Sequence, residues 1–463
     1  MARRTNRRDF MKTTAAAAGA GFWVASHSRA AESTSANEKL NVAFIGVAGR
    51  GGGNLGGISA FDDVNVVALC DVDEGYAAKS FAKFPKAAKY QDYRVMIEKE
   101  KGIDAVVIST PDHHHAIAAM MAIKLGKHVY CEKPLTHTPY EARMLTQAAA
   151  EYKVATQMGN QGTAENGMRE AVEVIQSGAI GHVREVHVWT NRPVWPQGAQ
   201  AALNHSGVQM ALHGECKDHE KRSTCPNDTH WDLWLGPAPY RPFNRAYFPF
   251  VWRGWWDFGT GALGDMACHT ANMAFMACKL GSPTSVEAEV SELNSETCPL
   301  WSVIRYEFPA RGDLPPLKWT WYDGGNEKPA WVNKKLKELA HGGDIPGSGS
   351  LLIGDKGTLF SPNDYGAAYT LLPEKDFEGY KPPAPSLPRS PGHHREFVDA
   401  CKGGPPAMSN FSYAGPLTET VVLGNVAMRV GKKIEWDGPN LKVTNVPEAE
   451  QYVRGTYREG WSL

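Results

Sequence analysis

LNVAFIGVAGRGGGNLGGISAFDDVNVVALCDVD, Leu40 to Asp73, is the stretch whose reading decides the fold. The apolar run Val42 to Ile45 breaks into a turn holding Gly46, Gly49, Gly51, Gly52 and Gly53. A second apolar run, Val64 to Leu69, leads to an acid, Asp71. The order is strand, tight turn, helix, strand, acid. Such a turn gathers backbone N–H groups at a helix N-terminus, where a pyrophosphate is favoured, and the acid accepts hydrogen bonds from a ribose. Asp71 follows Gly51 by about 20 residues, the offset of a ribose ligand. The middle glycine of G-x-G-x-x-G is replaced by Ala48, whose methyl crowds the closest approach to phosphate while the flexible Gly49 beside it compensates. The stretch reads as a dinucleotide site with Gly46, Ala48, Gly49, Arg50 and Gly51 at the phosphates. Asp71 favours NAD over NADP, and Arg50 is the residue that argues the other way.

Outward from this unit the alternation continues. Helical stretches at Glu74–Phe84 and Tyr93–Lys99 precede a strand at Ala105–Ser109. A helix at His115–Leu125, a strand at His128–Cys131, a helix at Tyr140–Tyr152 and a strand at Val154–Gln157 follow. Strands alternating with helices predict a doubly wound parallel sheet, whose ligands bind beyond the strands' carboxyl ends. Those ends carry Gly46, Asp71, Thr110, Glu132 and Gly159. Near Gly178 the pattern changes to alternating runs at Val183–Thr190, Ser285–Ser291, Trp301–Phe308, Leu317–Trp321 and Ser350–Leu359. Helical stretches interrupt them at Asp265–Lys279, Gly392–Lys402 and Pro416–Val430. This is an α+β domain with an open, mainly antiparallel sheet, whose open face is expected to cover the cofactor site. The divisions are 1–36 for a leader and linker, 37–160 for the first domain and 161–463 for the second.

The 463 residues suffice for two such domains, and 49 basic against 50 acidic side chains leave no overall field for nucleic acid. The basic cluster Arg3, Arg4, Arg7 and Arg8 precedes a weakly apolar Ala/Gly run too short to span a bilayer, with small residues at Ser28 and Ala30 that suit cleavage. RRDFMK with this run resembles a twin-arginine signal, which exports folded proteins, so the expected location is periplasmic, with no stable membrane anchor. Cys70, Cys131, Cys268 and Cys278 sit in apolar contexts as small core residues. Cys216 and Cys225 flank a polar insertion and are candidates for a disulfide in an oxidising compartment. His213, His219 and His230 in that region lack regular ligand spacing, and no metal site is assigned.

Two strand-end motifs carry the chemistry of the first domain. In STPDHHHA, Ser109 to Ala116, Thr110 and Pro111 form a strand-to-helix turn, and one of the three histidines is expected to open the helix toward the cofactor. In HVYCEKP, Glu132 and Lys133 follow a strand at the nicotinamide end. A lysine there stabilises a developing alkoxide. In the second domain, WRGWWDFGTGALGDMACHTANM places Asp265 and His269 four apart, on one helix face after a glycine-rich turn. From spacing alone, an acid at a helix N-terminus and a satisfied histidine are the simpler account. Trp195, Trp231, Trp234, Trp252, Trp255 and Trp256 cluster with Arg253 and Asp257. They pack as a core belt or, with Trp252, Arg253 and Trp256 turned to a ligand, stack on a pyranose.

The glycine turn with CDVD, TPDHHHA, CEKP, MGNQG at Met158–Gly162 and GTGALGDMACH together resemble the glucose-fructose oxidoreductase/inositol dehydrogenase (Gfo/Idh/MocA) family over nearly the whole mature chain. The resemblance implies a Rossmann domain and an oxidoreductase acting on a CH–OH group of a sugar, polyol or sugar derivative with tightly held NAD. It implies Lys133 as the active-site lysine, His269 and Asp265 as acid/base partners, His115 as the histidine of the TP turn and Asn160 near the nicotinamide. On that basis His269, with a near-neutral pKa, takes the hydroxyl proton, and Asp265 binds substrate or orients the base. Exported relatives also include NAD-dependent glycosidases that oxidise, eliminate, hydrate and reduce again. The intact EKP leans toward the oxidoreductase. A sugar-binding protein with a structural nucleotide is the non-enzymatic alternative, and the open sheet suggests a homo-oligomer.

Overall fold

The structure is a computed structural model that describes residues 39–198, 229–244 and 246–463. The leader with Arg3, Arg4, Arg7 and Arg8, the cysteines Cys216 and Cys225, and His213 and His219 lie outside the described residues. Among those described, no helix is long and apolar enough to cross a membrane.

Six short strands, β1 (Leu40–Ile45), β2 (Val64–Cys70), β3 (Ala88–Tyr90), β4 (Ala105–Ile108), β5 (His128–Cys131) and β6 (Thr156–Met158), form a parallel sheet in the order β3-β2-β1-β4-β5-β6. Their Val/Ile-rich runs are continuous because helices cover both faces of such a sheet. Order reverses beside β1, so the crevice between the β1 and β4 ends is the switch point where ligands bind. The helix Gly49–Ile58 that follows β1 is poor by propensity, with glycine at six of its ten positions. Packing explains the choice. A Cβ at Gly51 would overlap the Gly46 carbonyl, and one at Gly57 would overlap the His394 ring.

Nine strands make the second sheet: β7 (Val183–Trp189), β8 (Ser285–Val290), β9 (Ser302–Phe308), β10 (Leu317–Tyr322), β11 (Gly349–Gly354), β12 (Thr358–Ser361), β13 (Thr370–Leu372), β14 (Ile434–Asp437) and β15 (Lys442–Val443). Their order is β13-β12-β11-β7-β10-β9-β8-β14-β15, antiparallel except between β7 and β10. One face is apolar. Its Ile304, Tyr306, Trp319 and Trp321 join the core that holds the helices Gly261–Thr270 and Phe411–Val430, and the Tyr306 hydroxyl donates to Val421 O at 3.1 Å. The open face does not cover the cofactor site, contrary to the expectation above. The helices fill the space between sheet and site, while the other face carries Glu287, Glu307 and Lys318 to solvent and part of it packs under the helix Ala330–Leu339.

Packing also departs from the division at residue 160. The helix His393–Cys401 returns to the first sheet, where Phe397, Val398 and Cys401 share a core with Val42, Phe44 and Tyr130. The helix Pro139–Tyr152 begins with a capping box between Thr138 and Glu141 and is tied to the Phe411–Val430 helix by Arg143, which grips Glu419 with two hydrogen bonds of 2.8 and 2.7 Å. The two sheets thus share one folded body.

Candidate active site

A cleft of about 550 Å³ opens where the first sheet's strand ends meet the second domain. Gly46, Ala48, Gly49 and Arg50 line its floor, with Asp71, Thr110, Pro111, Glu132 and Lys133 along the neighbouring strand ends. Trp252, Arg253, Asp265 and His269 form the opposite wall. Gly46 and Gly49 adopt φ of +75° and +51°, conformations that suit glycine. A Cβ on Gly46 would stand 2.6 Å from Ser109 O. Ala48 is extended at φ −110° and immediately precedes the Gly49–Ile58 helix, so the alanine fits without strain. Gly51 lies behind this surface. It allows helix and strand to approach and is not part of the lining.

At the β2 end, Asp71 Oδ2 accepts from Val47 N at 2.9 Å and Oδ1 from Asp73 N at 3.1 Å. Burial pushes its pKa up to about 6 against these two hydrogen bonds. Asp73 and Asp92 line the same end, while Arg50 turns the other way and donates from Nε to Glu132 at 2.8 Å. Asn54 donates to the same Glu132 oxygen at 2.9 Å, and Gly159 packs against that carboxylate so closely that a Cβ would stand 2.7 Å from it.

One residue further on, the Lys133 ammonium donates to Asp265 Oδ1 at 2.7 Å and to Asp265 O at 2.5 Å. Arg253 Nε donates to Asp265 Oδ1 at 3.1 Å, with its guanidinium 4.3 Å above the Trp252 ring and 4.5 Å from that of Phe250. Burial would raise the Asp265 carboxyl, but the charges of Lys133 and Arg253 hold it well below the usual carboxylate range. His269 stands one helical turn on and meets the Tyr365 ring edge-to-face at 4.9 Å. Burial, then the Lys133 charge, holds its pKa well below the ordinary histidine value rather than near neutral. Its Nδ1 is buried without a hydrogen-bond partner. Asp265 therefore orients the lysine and the arginine, and the structure shows no hydrogen bond from it to His269.

Besides Gly51, three expected site residues lie elsewhere. His115 is fully buried, with Nδ1 2.7 Å from Pro134 O and Nε2 2.9 Å from Thr110 O. It braces the two strand-end turns, and His114 is the histidine of the tract that reaches the cleft. Asn160 is enclosed between Ser409 Oγ and Cys268 O, a bridge between the domains. Trp256 lines a separate cavity together with Arg429 and Tyr452. Of the other tryptophans, Trp195, Trp234 and Trp252 line the cleft, while Trp231 and Trp255 pack in the belt with Tyr247 and Phe258.

Sequence reasoning missed Tyr76, Asp364, Tyr365 and Trp461, all of which line the cleft. Tyr76 follows the Asp73 cap by one helical turn, and that offset was readable. Asp364 and Tyr365 arrive from the β12–β13 loop and Trp461 from the last residues, with no motif to announce them. The residues present fit a dinucleotide. The cradle is glycine-shaped, Asp71 is ready for a ribose, and the buried Thr110 Oγ1 and His269 Nδ1 lack partners within the protein. Among the described residues no cluster of His, Cys, Asp or Glu is arranged to hold a metal. His230, the described member of the histidines weighed for one, instead lies 3.3 Å from Glu74 Oε1.

Family models agree with this geometry. Residues 40–160 match the model described as "Oxidoreductase family, NAD-binding Rossmann fold", and residues 187–313 match "Oxidoreductase family, C-terminal alpha/beta domain", together just over half of the chain. The chain belongs to the Gfo/Idh/MocA oxidoreductase family. Within this family it is 30% identical to an inositol 2-dehydrogenase of Salmonella typhimurium over 32% of this chain and 45% of that protein. It is 31% identical to a glycosyl hydrolase family 109 protein of Solibacter usitatus over 52% of this chain and 57% of that one. The chain thus spans about half the length of these curated relatives. Among solved structures, levoglucosan dehydrogenase in complex with NADH and levoglucosan superposes with a TM-score of 0.56 at 18% identity, covering 86% of this chain and 99% of the other. The WlbA dehydrogenase from Bordetella pertussis in complex with NADH and UDP-GlcNAcA gives 0.57 at 16%, covering 86% and 99%. At these identities the likeness is one of fold, and it extends the family's two-domain architecture across both sheets.

Proposed function

We propose that the protein is an NAD-dependent oxidoreductase acting on a CH–OH group of a sugar, polyol or sugar derivative. The observation that carries this reading is the placement of Lys133, Asp265 and His269 together at the β5 end of a cleft whose other end is a glycine cradle. NAD, when bound, supplies the hydride acceptor. The backbone amides around Ala48 and Gly49 hold its phosphates and Asp71 its ribose. The Lys133 ammonium, fixed by Asp265, faces the reacting oxygen and favours its negative charge. His269 lines the cleft and is neutral at physiological pH, so it is the group able to take the hydroxyl proton. Arg253 keeps Asp265 ionised, and the rings of Trp252 and Phe250 beside it offer stacking faces for the C–H side of a ring.

Acids at Asp71, Asp73 and Asp92 line the ribose end, while Arg50 is held by Glu132 two strands beyond β1. This supports NAD over NADP, since a 2′-phosphate would meet carboxylates. The names inositol 2-dehydrogenase and levoglucosan dehydrogenase support a polyhydroxylated ring as substrate. A second reading is favoured by the longer match to the glycosyl hydrolase family 109 protein. In that reading the same residues perform transient oxidation, elimination of the aglycone, hydration and re-reduction. Purified protein incubated with added NAD and a panel of polyols and aryl glycosides separates the two. Substrate-dependent NADH accumulation supports the dehydrogenase; aglycone release without net NADH supports the glycosidase; neither, in protein that binds NAD, sinks both.

The leader supports export by the twin-arginine route, which would let NAD be bound before crossing the membrane. Fractionation of cells expressing R3K/R4K/R7K/R8K variants tests it. The open outer face of the second sheet, only part of which packs under the helix Ala330–Leu339, supports association of copies, which light scattering of the purified protein measures.

A further inference from the structure

An imidazole that takes a proton from a substrate is ordinarily held at its other nitrogen by a carboxylate or a carbonyl, which sets its tautomer and its orientation. His269 lacks that support. Its Nδ1 is buried with no hydrogen-bond partner, and the acid one turn back on the same helix, Asp265, is taken by Lys133 and Arg253. No hydrogen bond at Nδ1 stops the ring from turning, so packing has to. The aromatic contact it makes is with Tyr365, at 4.9 Å between ring centroids and 89° between planes, the edge-to-face geometry that aromatic pairs favour.

Tyr365 comes from the loop between β12 and β13, and that loop is tied down. Asn363 Oδ1 accepts from Tyr365 N and from Ala367 N, both at 3.1 Å, and Ser361 Oγ donates to Ala368 O at 2.8 Å. The loop backbone lies directly on the segment that leaves β6. A Cβ on Gly162 would stand 2.7 Å from Tyr365 O, and one on Gly167 would overlap Ala367 O. At the turn itself Gly366 takes φ +69° and packs on Met168 and on Met273, just beyond His269. We propose, resting on the reading of His269 as the base, that Tyr365 is its positioning residue: the docked loop sets the Tyr365 ring against the imidazole and holds it in the orientation that meets the substrate hydroxyl. The same contact keeps water from the imidazole. The charged and titratable groups that act on His269 are Lys133 at the β5 end, Asp265 on its own helix, Arg50 on the helix after β1 and His393 on the helix that returns to the first sheet, and all of them remain when Tyr365 is truncated.

The test compares Y365A and Y365F in the full-length protein, with H269Q beside them. On a substrate from the panel above, Y365A should lower kcat by about tenfold to a hundredfold with KM little changed, since a displaced base costs turnover rather than binding. Y365F, which keeps the ring and drops only the hydroxyl, should rescue that loss. In Y365A the acid limb of kcat/KM should move up toward pH 6.5 as water reaches the ring. The His269 titration, followed by NMR of ring-labelled histidine and identified by its absence in H269Q, should move with it, and Y365F should leave both in place. Either a retained kcat or an unmoved titration in Y365A overturns the proposal. So does a loss in Y365F equal to that in Y365A, which would assign the role to the hydroxyl. Full turnover in H269Q instead sinks His269 as the base, and the positioning role falls with it. Where no panel compound turns over, the titration of Y365A against Y365F decides alone.

Discussion

Lys133 Nζ reaches Asp265 Oδ1 at 2.7 Å across 132 residues of sequence, and that ion pair is the seam at which the two domains build one site. Both side chains are largely buried, and their attraction offsets part of the cost of taking the two charges out of water. Replacing Lys133 by Met keeps the stem and removes the ammonium. Turnover should fall by about 10² to 10⁴, while NAD affinity, followed by fluorescence titration, changes little. Equal loss of cofactor binding would place Lys133 in binding rather than in turnover.

His269 sets the acid side of the pH profile. Burial and the Lys133 charge depress its folded-state pKa below the ordinary 6.5, so the neutral base persists as pH falls through that value. The acid limb of kcat/KM should therefore lie below pH 6.5. For stability the sign is the same. The contribution is complete above the ordinary histidine value and is lost as pH falls toward the folded one, because the unfolded state takes up the proton first. H269Q should flatten that part of the Tm-against-pH curve.

Glu141 works in the opposite sense. Its folded-state pKa is pushed up to about 7 by burial, from an ordinary 4.5. Stability is full below the ordinary value and is lost as pH rises through 7. The Tm of E141Q relative to the unaltered protein should accordingly climb between pH 4.5 and 7 and then level off. A gap that stays constant across this range would mean the carboxyl is ionised throughout.

Asp71 is the arbiter of cofactor choice. D71N removes the charge that would accept from a ribose, and NAD affinity should fall by about tenfold to a hundredfold, with NADP affected less. Unchanged discrimination would move the choice of cofactor away from this strand end.

Gly51 tests the glycine turn apart from any ligand. A methyl there runs into the Gly46 carbonyl, which belongs to backbone and cannot swing aside. G51A should cost on the order of 1–3 kcal/mol by denaturant titration. Ala48, already extended, should tolerate reversion to glycine with little change.

Much of this was legible in the chain because local chemistry and global position coincide. Strand runs ending in Gly46, Asp71, Thr110 and Lys133 place those residues at one edge of a parallel sheet before any contact is known. A four-residue spacing puts Asp265 and His269 on one helix face. What spacing does not encode is which neighbour claims a polar group. His115 looked like a cofactor contact and proved to be a brace between two carbonyls, and Arg253 spends its Nε on Asp265. Asn160 was drawn into the interior by Ser409, about 250 residues away. The helical stretch expected at Pro416–Val430 is the helix Phe411–Val430. It begins five residues earlier because Asn410 caps it through Ser412 N.

The helix His393–Cys401 has a practical meaning for anyone who cuts this molecule. Phe397, Val398 and Cys401 plug an oily trench against Val42, Phe44 and Tyr130. A fragment stopping after the sixth strand would bare that trench to water and clump, however complete its nucleotide motif. Nucleotide-binding assays on this protein belong with the uncut chain.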